Sequence, residues 1–372
     1  MNFDFKKVMF QCMAVCSVAL SLPAQSEAVL NILNWDDYVA PEVIEGFELQ
    51  YGVKVEYVPY TSLDEFAGLF YDQKNQFDLI FPPSRIINVL KDSGLILDLD
   101  ISRIERYSAI RPDIQTEFSQ HDNGAASGVP YLWGTTGLGV NQKKLQALGL
   151  GNETDSWKLL FDAETRKKAA QCGIGLLNER DELFAAALAW LGYSVNTVEK
   201  AELVEAGELL REVISDVSYL HTTQFRQDLK DNKICVAVGY SGDLQAVAAE
   251  NPEVSYFIPR EGNALWMDAM AIPANATSPE LAYDFINYVM QNQVAANNTN
   301  YLAYANAMES SSRYIDAEII NNPQIYPPVA SLRKMEALAP KDRKTSRVMH
   351  RLWVSVLCSR GSWCSVPPVS AF

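Results

Sequence analysis

The chain has 372 residues, 48% apolar and 21% charged, and 31 Lys and Arg against 46 Asp and Glu give a formal net charge of −15. That length allows two lobes with separate cores, and the composition excludes general disorder. The acidity argues against nucleic acid as a partner and in favour of cationic solutes.

In chain order, Lys6 and Lys7 precede a mainly apolar stretch from Val8 to Leu22, then Pro23 and the small-residue pattern Ser26-Glu27-Ala28. This order predicts a secretory signal peptide over residues 1–28; the apolar span is too short for a membrane anchor. Its removal takes away Asp4, Glu27, Lys6 and Lys7, so the net charge is unchanged. Of the six cysteines, Cys172, Cys235, Cys358 and Cys364 would remain in an oxidising compartment. Their spacing matches no zinc pattern, and no metal is expected. Cys172 and Cys235 each lie in or beside a strand-like run, so neighbouring strands could bring them together; two unrelated free thiols are the alternative.

The apolar run Val29, Leu30, Ile32 and Leu33 predicts a buried strand, and it ends in Asn34-Trp35-Asp36-Asp37-Tyr38. Rings and carboxylates at the end of such a strand suit an organic cation, because open α/β sheets bind ligands there. Pro41 opens a helix with Val43, Ile44, Phe47 and Tyr51 on its apolar face and Gly52 as its stop. Val53, Val55 and Tyr57 alternate as a strand, Leu63 to Tyr71 reads as a helix, and Phe77 to Phe81 as a buried strand. The resulting βαβαβ order implies a parallel sheet with right-handed crossovers.

Residues 93–128 are less regular, with a turn at His121-Asp122-Asn123-Gly124. The glycine-rich run from Val129 to Asn141 lacks the lysine and the following helix of a phosphate loop, and it reads as the strand that carries the chain into a second lobe. There the βα rhythm resumes. Strands are expected at Ile174 to Leu177, Ile234 to Val238, Val254 to Ile258 and Trp266 to Ile272. Helices are expected at Asp181 to Leu191, near Val198 to Ser215, at Leu244 to Ala249, and from Ser278-Pro279-Glu280 to Met290.

Aromatic and acidic residues recur at the strand ends: Trp35, Asp37 and Tyr38; Glu179 and Glu182; Tyr240 and Asp243; Trp266 and Asp268; and Tyr304. Ring faces attract ammonium groups at roughly 0.5 to 2 kcal/mol per contact, and carboxylates accept their charge-assisted hydrogen bonds. An enzyme fits poorly. His121, His221 and His350 sit in no metal or nucleophile motif, Gly239-Tyr240-Ser241-Gly242 is not a nucleophile elbow, and the acids show no acid–base division of labour. No cofactor is called for.

Asn34-Trp35-Asp36-Asp37-Tyr38-Val39, Pro130-Tyr131-Leu132-Trp133-Gly134, Gly242-Asp243, Trp266-Met267-Asp268 with Ala271-Ile272-Pro273-Ala274, and Tyr304-Ala305-Asn306-Ala307 resemble the bacterial periplasmic polyamine-binding proteins. Tyr304 to Ala307 and Ile325 to Pro328 look closer to the putrescine-binding branch than to the spermidine branch. The resemblance implies an α/β, two-lobed, type II solute-binding protein with hinge strands between its lobes. It implies a monomer in the periplasm, whose partner is an ABC permease or, alternatively, the periplasmic domain of a membrane sensor.

The division that goes with it is 29–136 plus 268–310 for one lobe, 137–267 plus 311–353 for the other, and 354–372 as an atypical tail. By resemblance, the ligand set is Trp35, Asp37, Tyr38, Ser84, Glu182, Tyr240, Asp243, Trp266, Asp268 and Tyr304, and Cys172 pairs with Cys235. These cleft side chains are expected to contribute little to either core, so replacing Asp268 or Trp266 should spare the fold.

Four positions depart from the family pattern. Pro82-Pro83 stands where Pro-Ser is usual, so Ser84 comes one place late and its hydroxyl is displaced or lost. Arg85 either faces the cleft, where it repels a ligand amine or neutralises an acid, or points to solvent. Tyr240 replaces a tryptophan. Beyond Trp353 the Ser, Cys and Pro mixture from Val354 to Phe372 reads as a disordered tail.

Overall fold

The computed structural model describes residues 28–361 apart from 73, 75 and 122–125, so the signal peptide, the His121 to Gly124 turn beyond His121, and Cys364 lie outside the described residues. Among the described residues no helix is long and apolar enough to cross a membrane.

Strand β1 (Ala28–Trp35) lies between two parallel partners, β2 (Val53–Tyr60) and β3 (Leu79–Ile80). The intervening helices follow from local chemistry. Pro41–Tyr51 starts with proline in its first turn and ends at Gly52, whose φ of 65° is left-handed and costs glycine little. Leu63–Tyr71 is capped by Ser62, whose hydroxyl accepts the Glu65 N–H. The third strand is only two residues long, although Phe81 still donates its N–H to the Leu33 carbonyl at 3.0 Å and Phe77 is buried before it.

Strand β4 (Val129–Asn141) is buried along its whole length. Two short strands follow, β5 (Ile174–Leu176) and β6 (Tyr219–Leu220), then β7 (Val236–Tyr240), β8 (Val254–Phe257), β9 (Asn263–Met270), β10 (Ala305–Asn306) and β11 (Met335–Ala337). The first part of β4 pairs with β9 and β10, and its second part with β7 and β8. Its glycines permit close approach: a Cβ on Gly134 would sit 2.5 Å from the Trp266 ring, and one on Gly137 would sit 2.5 Å from the Phe257 carbonyl oxygen. That packing, rather than phosphate binding, accounts for the glycine-rich run.

Two hydrophobic cores result. One gathers residues from Leu30 to Trp133 and from Trp266 to Met308; the other gathers residues from Leu138 to Ala264 and from Leu338 to Leu357. The antiparallel pair β4 and β9 contributes to both, so it forms the crossing between the lobes. The second core is closed by the Cys172–Cys235 disulfide, with 5.5 Å between Cα atoms, beside the point where β5 and β7 pair.

Some expectations change. The irregular stretch 93–128 contains a helix, Pro112–His121, whose Ile114 and Phe118 are buried. Helices Gln224–Lys230 and Asn292–Leu302 were not anticipated from the sequence. The tail does not begin at Val354: the last helix runs Arg343–Cys358 and seats Met349, Trp353, Val356 and Leu357 in the second core. Its apolar spacing of 4, 3 and 1 residues simply continues the helical stripe past Trp353.

Candidate functional site

Between the lobes lies a cleft of about 650 Å³, part of it open to solvent, lined by Trp35, Asp37, Tyr38, Glu182, Tyr240, Asp243, Trp266, Asp268 and Tyr304, and also by Asp36, Tyr60, Pro83, Arg85, Glu179 and Arg226. Every ligand residue expected from the sequence lines it except Ser84. Ser84 is buried and its hydroxyl lies 2.7 Å from His121 Nδ1. The physical reason is local: Pro83 holds an extended backbone, and Ser84 then begins a tight 3₁₀ turn that aims its side chain inward.

One wall is aromatic. Tyr38 sends its hydroxyl to Asp268 Oδ2 at 2.8 Å, and its ring meets Tyr131 and Tyr304 edge-on at 5.7 and 5.5 Å. Trp266 meets Tyr304 at 5.1 Å and Tyr240 at 5.8 Å, both nearly perpendicular. Trp35 leans on Tyr60 at 4.4 Å. Tyr38, Trp266 and Tyr304 belong to the first core, so the expectation that cleft side chains are dispensable for the fold fails for these rings.

The facing wall is acidic. Glu182 lies in the first turn of helix Arg180–Leu191 and Asp243 in the first turn of helix Ser241–Glu250, where the helix dipole favours negative charge. Asp243 is 3.0 Å from Arg226, and its backbone N–H donates to the Tyr304 hydroxyl across the cleft at 3.3 Å. Gly242 permits this approach, because a Cβ there would lie 2.6 Å from the Leu302 carbonyl oxygen and from the Tyr304 ring. Asp37, at a φ of 51°, stays exposed at the mouth and accepts from the Tyr301 hydroxyl at 3.3 Å.

Burial dominates the electrostatics. It pushes the Asp268 carboxyl up to about 7 and the Glu179 carboxyl up to about 8, against the lowering influence of Tyr38 and Arg85 on the first and of Arg85 on the second. Glu182 and Asp243 are raised for the same reason. Glu182 Oε2 and Trp266 Nε1 are buried without a hydrogen-bond partner among the described residues. Buried acceptors and donors left open in this way are satisfied by a ligand or by water. The enclosed acids and ring faces attract a cation and repel an anion.

Tyr60, Thr61, Thr222, Thr223 and Arg226 also line the cavity and escaped the sequence reading. Arg226 comes from the unanticipated helix Gln224–Lys230, and in a polar segment an arginine carries no signal that distinguishes it from a solvated one. Pro83 takes the place expected of Ser84. Arg85 does not point to solvent: it lines the cavity, its side chain is 11% exposed, and its guanidinium reaches Asp181 at 3.4 Å.

Known proteins agree with this architecture. The family model for bacterial extracellular solute-binding proteins matches residues 42–327. The putrescine-binding periplasmic protein PotF of Escherichia coli is 33% identical over 92% of this chain and 95% of its own length. The putrescine-binding periplasmic protein SpuD of Pseudomonas aeruginosa is 32% identical over 95% and 98%. A solved spermidine/putrescine ABC transporter substrate-binding protein, PotD of Streptococcus pneumoniae, superposes with a TM-score of 0.76 at 25% identity, covering 90% of this chain and all of that one. A two-lobed α/β chain with this cleft and these relatives is a type II binding protein rather than an enzyme, and it belongs to the bacterial extracellular solute-binding family, in the group that holds the putrescine-binding periplasmic proteins.

Proposed function

We propose that this protein captures a linear aliphatic polyamine in the periplasm, to which residues 1–28 export it, and delivers it as a monomer to the permease of an ABC importer. The observation that carries the reading is Asp268: a buried carboxylate on a crossing strand, hydrogen-bonded by Tyr38 and standing in the same cavity as the Trp35, Trp266 and Tyr304 rings. An ammonium group there exchanges water for one charge-assisted hydrogen bond and several ring faces, while its methylenes replace water against the indoles. The names of the relatives, putrescine-binding and spermidine/putrescine-binding, supply the ligand class. Both lobes contribute to the lining, so ligand favours the closed arrangement that a permease recognises.

The test is thermal shift and calorimetry of the mature chain with putrescine, cadaverine, agmatine, norspermidine and spermidine. At least one should raise the melting temperature and titrate with one site per chain. If none of them shifts the transition at millimolar concentration, the polyamine reading is wrong.

A further inference from the structure

The geometry points to Arg85 as a tethered cation that occupies one end of the cleft, so that the protein selects ligands with two ammonium groups over those with three. This rests on the polyamine reading and adds to it the number of charges the cleft accepts.

Arg85 belongs to the first lobe. It sits in the turn Ser84–Ile86, whose backbone is pinned on both sides: the Ala269 N–H donates to the Pro82 carbonyl at 2.9 Å, Pro83 bridges to Asp268 on β9, and the Ile86 N–H returns to the Pro83 carbonyl at 3.0 Å. From that anchored turn the side chain crosses to the second lobe, where Nε lies 3.4 Å from Asp181 Oδ2. Asp181 already has Arg180 at 2.7 Å, so it does not depend on Arg85 for a partner. Glu179 and Glu182 flank it in sequence, and both line the cavity beside Arg85.

Arg226 behaves differently. It meets Asp243 at 3.0 Å, and both residues come from the segment that builds the second core, so this pair does not join the lobes.

Counting charge makes the consequence concrete. Asp36 and Asp37 are exposed at the mouth, whereas Glu179, Glu182, Asp243 and Asp268 are enclosed. Four enclosed carboxylates against the two guanidiniums of Arg85 and Arg226 leave a net of −2 when all are ionised. A dication neutralises that cleft. A third ammonium arrives where Arg85 already stands, and like charges a few ångströms apart in a partly desolvated site repel strongly. Without Arg85 the enclosed net becomes −3, the complement of a trication.

The experiment compares wild type, R85Q and R85K by calorimetry with putrescine and spermidine at about pH 8.5, where Asp268 and Glu179 are mostly ionised, and at low salt. Wild type is expected to prefer putrescine. R85Q should raise the spermidine-to-putrescine affinity ratio about tenfold or more, R85K should leave it within about twofold, and R85Q combined with E179Q, which restores −2, should bring it back. An unchanged ratio in R85Q, or a wild type that prefers spermidine, overturns the inference while leaving the receptor reading intact. A wild type that binds neither amine sinks the receptor reading itself. Should R85Q fail to fold, E179Q alone reads the same count: putrescine affinity falls about tenfold while that of butylamine, with one ammonium, is kept, and an equal loss for both overturns the proposal.

Discussion

The two walls of the cleft are built from different material. The aromatic wall, Tyr38, Trp266 and Tyr304, is the inner face of the first hydrophobic core, with each ring at most 7% exposed and locked edge-on against its neighbours. The acidic wall, Glu182 and Asp243, sits in the first turns of two helices of the second lobe, where backbone dipoles and a single arginine partner hold the carboxylates. The two walls are therefore held differently: the rings are fixed by packing against one another, whereas the acids are burial-raised, and Glu182 Oε2 has no hydrogen-bond partner among the described residues.

Trp266→Ala gives the largest test of that division. It removes a ring that belongs to both core and cleft, so unfolding free energy should fall by about 3–5 kcal/mol and ligand affinity should fall with it. Denaturant titration and calorimetry on the same preparation would measure the two losses. If stability is unaffected, the aromatic wall is not part of the core.

Reducing the Cys172–Cys235 bridge comes next and acts on the other lobe. Releasing a separation of 63 residues should cost about 4 kcal/mol of stability, visible as a lower melting temperature in dithiothreitol, with little change in affinity for the protein that remains folded. A large affinity loss in the folded, reduced protein would mean that the acidic wall is positioned by the bridge.

Asp268→Asn should leave the ligand-free melting temperature at pH 8 unchanged or raised, because it removes a carboxylate whose ionisation burial opposes. Affinity for a diamine should drop about 100-fold, the usual scale for truncating one side of a buried charged contact. Calorimetry checks the second figure, and equal affinities would displace Asp268 from the centre of the site.

The pH dependence sharpens the comparison further, because free-state stability and ligand affinity respond to pH with opposite signs. Asp268 and Glu179, pushed up to about 7 and about 8, hold protons in the fold that the unfolded chain releases near pH 4. Between those limits the native state binds more protons than the unfolded one, so stability of the free protein falls as pH rises from about 4 to 8. An ammonium group on Asp268 requires the ionised carboxyl, so affinity should climb roughly tenfold from pH 6 to 8 on that account and go on rising above pH 8 as Glu179 ionises. Melting curves with and without saturating putrescine would show the slope flatten when ligand is present.

Much of this was legible in the chain because local chemistry writes it there. Pro41 and Gly52 mark the ends of their helix, Ser62 caps the next, and Val29 to Leu33 is apolar enough to read as a buried strand. The ring-and-acid pairs stood out because each lies at an element end. Helix Pro112–His121 was missed because its mean hydropathy is low and only Ile114, Phe118 and His121 turn inward. Arg226 was missed because a guanidinium that serves a buried acid and one that serves water look alike in sequence.

By itself, the sequence determined the alternation of strands and helices, the acidic character and the recurrence of rings and acids at strand ends, since periodicity, capping and residue type act over a few neighbours. Only the tertiary structure decided which side chains meet: that Ser84 turns away to His121, that Arg85 reaches Asp181 in the other lobe, and that Tyr38 and Asp268, 230 positions apart, share a hydrogen bond. Those outcomes depend on the direction of a side chain after a turn and on the distance between two cores. The first follows from the 3₁₀ turn after Pro83, and the second is set by the crossing of β4 and β9, which joins segments far apart in the chain.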